Sequence, residues 1–122
     1  KMYFYEVYNE DLYIADLDGS NMTPLLSGVY GYAILVDTEN DKIYFDEQNA
    51  RALVRADLDG ENIQTIDDNG TRIYGIGISH ERGRIYWSGR DSGAIMHANL
   101  DGTHKSVLKS GLSRPRGMFF KN

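Results

Sequence analysis

Three acidic phrases invite a chemical reading first: Asp16-Leu17-Asp18-Gly19, Asp57-Leu58-Asp59-Gly60 and Asn99-Leu100-Asp101-Gly102. Alternating carboxylates before a glycine suggest a calcium loop, but an EF-type loop needs a further ligand before its glycine and a distant glutamate. Neither is present. A hairpin turn explains the phrase better, because Asp-Gly supplies the positive φ angles that a two-residue turn requires. His80, His97 and His104 lie in three different settings with no metal-ligand spacing, which gives them surface or packing roles. There is no cysteine, so disulfides, thiolate metal sites and cysteine nucleophiles are excluded. Ser79-His80 and Ser92 occupy no nucleophile elbow. Gly75-Ile76-Gly77 has no following helix to receive a dinucleotide. No catalytic residue, metal or cofactor is therefore expected.

The elements that position these residues follow from a repeat. Ala-Asp-Leu-Asp-Gly at Ala15–Gly19 returns at Ala56–Gly60, and as Ala-Asn-Leu-Asp-Gly at Ala98–Gly102, about 42 residues apart. Met2-Tyr3-Phe4, Ile43-Tyr44-Phe45 and Ile85-Tyr86-Trp87 precede it in phase, and Leu25, Ile66 and Leu108 follow. Helical periodicity is nearly absent; runs of β-formers alternate with turn residues. The pattern predicts strands over 2–7, 12–17, 22–26, 32–37, 42–46, 52–58, 63–66, 73–79, 84–88, 94–100 and 106–108, with 114–122 as one more leading strand. Pro24 is tolerable if its strand lies at a sheet edge. Ile43-Tyr44-Phe45 and Ile85-Tyr86-Trp87 are apolar on both faces and demand a sheet covered on both sides. A radial stack of four-stranded antiparallel blades meets that demand, which makes the fold all-β and a β-propeller. The repeats fall at about 1–31, 32–73 and 74–113 of a single unit.

Each repeat resembles the YWTD repeat of the low-density lipoprotein receptor propellers, also called the class B repeat. Ile85-Tyr86-Trp87-Ser88 and Ile43-Tyr44-Phe45-Asp46 match its middle element, and Leu53-Val54-Arg55-Ala56-Asp57-Leu58-Asp59-Gly60 its last. Pro115-Arg116-Gly117-Met118 and Ala33-Ile34-Leu35-Val36-Asp37 match its first. The Thr-Asp pair that ends the middle element is lost, being Tyr5-Glu6, Asp46-Glu47 or Ser88-Gly89 here. The resemblance implies six blades where three repeats are present, and favours an extracellular or secreted location. Two chains joined head to tail would supply six, with Arg116 to Lys121 of each completing the Met2-to-Leu26 blade of the other.

On a propeller, the loops entering the leading strands and the loops between second and third strands share one face. There Tyr32, Tyr74 and Arg116 are equivalent positions around the channel, with Tyr30, Arg72 and Arg114 two residues earlier. Glu47, Gln48, Asn49, Arg90 and Asp91 lie further out. Tyrosine and arginine combine flat contact area with donors, so Tyr32, Tyr74, Arg116, Arg72 and Arg114 are candidates for binding a protein or a glycan. The net charge of −5 gives no basic footprint for nucleic acid. No apolar run reads as a membrane span or signal peptide. Asn21-Met22-Thr23 and Asn69-Gly70-Thr71 fit the short N-glycosylation pattern. The expected function is non-enzymatic recognition by a homodimer. The alternatives are a structural or engineered half-propeller without a ligand, and a hydrolase- or lactonase-like propeller, which would need carboxylates or histidines converging at the channel.

Overall fold

In the computed structural model of the chain, residues 1–68, 70–118 and 120–121 are described. Among the described residues, eleven strands form three antiparallel sheets in chain order. The first holds β1 (Met2–Glu6), β2 (Asp11–Ala15) and β3 (Thr23–Ser27); the second β4 (Ile34–Asp37), β5 (Lys42–Glu47), β6 (Ala52–Asp57) and β7 (Gln64–Asp67). The third holds β8 (Ile73–Ser79), β9 (Arg84–Gly89), β10 (Ala94–Asn99) and β11 (Ser106–Lys109). Each sheet is a meander, and Pro24 sits on the edge strand β3 opposite Tyr13, where its missing N–H interrupts no inner ladder. All three outer pairs carry a register shift at the same repeat position, after Leu12, Leu53 and Ile95. Such bulges sharpen the local twist of the outer edge.

The two-sided strands are buried as their composition requires. Ile43 and Phe45 of β5 pack with Leu12, Ala52, Val54 and Ala56 between the first and second sheets. Tyr44 of the same strand points the other way, into a core with Leu53, Ile66, Ile73, Ile85, Trp87 and Met96. The middle sheet is thus sandwiched, blade against blade.

One expectation is corrected. Asp-Gly does not form a two-residue turn: only the glycines have positive φ, at 87°, 87° and 91° for Gly19, Gly60 and Gly102. A two-residue turn of that kind needs the left-handed region at both central residues. Instead Gly19 N–H donates to Asp16 O at 2.9 Å and Asp16 N–H to Ser20 O at 2.9 Å, and the same closure recurs at Asp57–Glu61 and Asn99–Thr103. The second acid of each phrase caps the loop, since Asp18, Asp59 and Asp101 accept from the N–H of Ser20, Glu61 and Thr103. The first position is held by a cation at or just before the start of the preceding strand: Lys1 on Asp16, Lys42 on Asp57, and Arg84 on Asn99.

The strand expected over 114–122 has its expected pairing partner in the first blade of another copy, which a single chain does not supply. Residues 114–118 and 120–121 form no strand, while Phe119 and Asn122 lie outside the described residues, as does Asn69 of the second glycosylation pattern. The segment runs beside β8: a Cβ built on Gly75 would meet Arg116 O at 2.2 Å, and one on Gly77 would meet the Phe120 ring. A leading strand becomes a ladder by pairing with the second strand of its own blade, and this segment faces none.

Candidate functional site

The loop entering each leading strand is joined by backbone to the loop between the next two strands. Gln48 N–H donates to Tyr30 O at 2.8 Å, and Arg90 N–H to Arg72 O at 2.7 Å. These loops therefore do share one face. Within it, Tyr32 and Tyr74 stack with ring centroids 4.9 Å apart and planes tilted by 32°. The Arg116 guanidinium continues the column, 5.1 Å from the Tyr74 ring centroid. Three residues separated by 42 positions each are thus brought into one arc.

Local structure explains the aim of each side chain. Tyr74 lies at the register shift of the β8–β9 ladder between Ile73 and Gly75, and a bulge of this kind turns a side chain out of the sheet's alternation. Tyr32 precedes β4, and its N–H donates to Asp46 Oδ2 at 2.9 Å. Arg116 is held by its carbonyl, which accepts from Ser88 Oγ. Tyr32 remains 61% exposed, so most of its ring is open to a partner.

The arginines two residues earlier behave differently from one another. Arg72 is engaged with Asp91, Nε to Oδ2 at 3.0 Å and Nη2 to Oδ1 at 3.0 Å, while its N–H also donates to Oδ2. The Arg72 guanidinium holds the Asp91 carboxyl far below the ordinary carboxylate range. Arg114 is exposed, with φ at +49°. Glu47 and Gln48, expected at the outer surface, are buried instead. Glu47 accepts from the N–H groups of Asn49 and Ala50, and Gln48 donates to Asp46. They build the loop rather than face a ligand.

Asp46 was not singled out by the sequence, though it sits directly under Tyr32. It is fully buried, and burial raises its pKa to about 6 despite the hydrogen bonds from Gln48 and Tyr32 N–H. The Arg72–Asp91 pair had a detectable signal: the equivalent positions one repeat earlier are Tyr30 and Asn49, so both partners gain charge together. The histidines stay apart. His80 Nε2 lies 2.7 Å from the buried Asp37, His97 stacks on Tyr86, and His104 holds a left-handed turn position with φ at +55°. Among the described residues no three His, Asp or Glu side chains converge as a metal site would require, and no helix is long and apolar enough to cross a membrane.

No protein-family model matches the chain, and no curated protein sequence does. Solved structures do. A chain of a nidogen/laminin complex superposes with a TM-score of 0.84 at 16% identity, over 94% of this chain and 46% of the other. A structure described as TolB from Agrobacterium tumefaciens superposes with a TM-score of 0.69 at 17% identity, over 88% and 43%. The fold is that of a β-propeller, present as consecutive blades. This chain spans less than half the length of either neighbour.

Proposed function

We propose that this chain is a YWTD-type propeller module that carries out no catalysis and binds a protein ligand through the face bearing Tyr32, Tyr74 and Arg116. The observation behind this reading is the continuous aromatic–guanidinium column, exposed at Tyr32 and Arg116 and half-buried at Tyr74, on loops anchored by backbone hydrogen bonds. Such residues dominate interface energetics because they bury large areas at low conformational cost. The likeness to a chain solved in a nidogen/laminin complex favours a protein over a glycan. An array carrying both extracellular proteins and glycans, probed with the chain and with Tyr74→Ala, tests this. A hit weakened by about tenfold or more in the variant supports it; unchanged binding removes the mouth from the site, and hits confined to glycans replace the ligand class.

The second part of the proposal is closure of the ring by another copy. Tyr3 OH reaches Leu58 O on the next blade and Tyr44 OH reaches Leu100 O. The equivalent Tyr86 has no following blade, and the equivalent Leu17 is 78% exposed. Likewise Leu25 packs on Gly60 and Ile66 on Gly102, whereas Leu108 is exposed and Gly19 meets nothing within 4 Å. The two open faces carry the missing halves of one repeated interface. Light scattering after size exclusion should give twice the 13.8 kDa chain mass at micromolar concentration, reduced to one chain by Leu108→Asp. A stable monomer of the unmodified chain overturns closure by a second copy and leaves the faces to further blades of a longer chain.

A further inference from the structure

A cleft of about 580 Å³ opens beside the Tyr74 column, lined by Arg72, Arg90, Asp91, Ser92, Leu112 and Arg114. Its floor is firmly built. Thr71 Oγ1 accepts from the N–H groups of Asp91 and Ser92, and Leu112 N–H donates to Gly93 O at 2.9 Å, which brings the 111–114 loop against the β9–β10 turn. Asp91 Oδ1 lies 3.0 Å from both Arg72 Nη2 and Arg90 Nη1, so one carboxylate orients two guanidinium groups.

That arrangement leaves the cleft unbalanced in two respects. Three arginines line it against a single acid, an excess of two positive charges. Arg90 Nε is buried and has no hydrogen-bond partner, although its side chain is only 17% exposed. Buried donors are almost always paired, so the Arg90 guanidinium, held to Asp91 through Nη1, brings more donors to the cleft wall than its protein partner satisfies.

We propose that this cleft is a carboxylate-binding subsite, taking a glutamate or aspartate side chain of a protein ligand between Arg90 and Arg114. The assignment rests on the reading of the mouth face as a protein-binding surface and names the chemistry at one end of it. Guanidinium forks match a planar carboxylate with two parallel hydrogen bonds, and the Arg72–Asp91 pair shows that geometry inside the cleft already. A polysulfated glycan fits less well, because the local excess is only two charges on a chain of net charge −5, and a long polyanion would run over acidic surface.

The test is an NMR titration of the full chain, following the arginine Nε–H resonances at low ionic strength. The probes are a capped Gly-Glu-Glu-Gly peptide, its Gly-Gln-Gln-Gly counterpart and a heparin disaccharide. The glutamate peptide should saturate shifts at Arg90 and Arg114 while the glutamine peptide does not. Arg114→Gln should weaken it by about three- to tenfold, with Arg114→Lys in between because charge is kept and the fork is lost. Trp87 fluorescence verifies that both exposed-site variants are folded. Absence of glutamate binding, binding insensitive to both Arg114 variants, or saturation by the disaccharide alone overturns the subsite. The two proposals separate cleanly. A protein hit lost in Tyr74→Ala but indifferent to Arg114→Gln sinks the cleft and keeps the mouth; glutamate binding that needs Arg114 but survives Tyr74→Ala supports the cleft and sinks the column.

Discussion

The Tyr44 hydroxyl donates to the Leu100 carbonyl across 2.9 Å, tying the second blade to the hairpin of the third. Tyr44 is fully buried and Leu100 half-buried, so water has little access to the hydroxyl. Tyr44→Phe keeps the ring and removes only the hydroxyl, and a loss of about 1–3 kcal/mol is expected. Urea unfolding followed by Trp87, the one tryptophan, measures it. Tyr3→Phe should cost distinctly less, because its contact with Leu58 O is 3.4 Å and less buried. Equal losses in the two variants would show that the hydroxyls are not the ties between blades.

Asp67 makes a second tie. Its side chain is 1% exposed, accepts from Trp87 Nε1 at 3.1 Å and pairs with Lys105 at 2.8 Å. Asp67→Ala leaves the buried indole N–H without an acceptor and should cost about 2–3 kcal/mol, with altered Trp87 emission. Asp67→Asn retains an oxygen for the indole and should cost less. An alanine variant no weaker than the asparagine one would assign the stability to the Lys105 charge pair instead.

Asp46 sets a pH dependence opposite to that of most carboxylates. Its folded pKa is raised to about 6, above the unfolded value near 3.8, so the folded state holds the proton more tightly. Stability from this group is present below pH 3.8 and is lost as pH rises through about 6, by on the order of 2–3 kcal/mol. Asp37 and Asp91 act the other way. Burial raises Asp37, but the Asn40 amide and His80 more than offset it and hold it below its ordinary value, while Arg72 depresses Asp91. Their contributions are lost only as pH falls below the normal carboxylate range. Melting temperature should therefore rise from pH 7 toward pH 4–5 and fall in stronger acid. Asp46→Asn should flatten the upper limb alone; an unchanged upper limb in that variant would remove Asp46 as its cause.

Gly75 faces the carbonyl of Arg116 so closely that a methyl group would sit 2.2 Å from it. Gly75→Ala is expected to push the 114–118 segment off β8 and take the Arg116 guanidinium away from Tyr74. Trypsin should then cut after Arg116 several-fold faster than in the unmodified chain, because local release exposes the backbone without global unfolding. If cleavage quickens only in step with a lower melting temperature, the glycine supports the blade rather than the segment.

Much of the architecture was legible in the sequence because a strand buried on both faces must be apolar on both faces. Ile43-Tyr44-Phe45 announced the sandwiched middle blade, and in-phase repetition placed Tyr32, Tyr74 and Arg116 at one level before any coordinates. The turn was misjudged for a local reason. Asp-Gly is compatible with two turn types, and here Asp18 spends its carboxylate on Ser20 N–H; of the dipeptide, the glycine but not the aspartate is left-handed. The terminal strand is a non-local matter, since its composition suits a ladder and only a partner strand makes one.

Residue types and a 42-residue period, by themselves, determined the strand order, the blade count and the face on which the loops gather. Those properties follow from side-chain polarity and backbone propensity, which each residue carries wherever it lies. Tertiary structure alone decided that Arg90 keeps a buried donor unpaired and that Asp46 is closed off from water beneath Tyr32. Charge pairing and desolvation depend on distances of a few ångströms between residues 14 to 19 positions apart, as in Tyr32–Asp46 and Arg72–Asp91, and a local pattern does not set them.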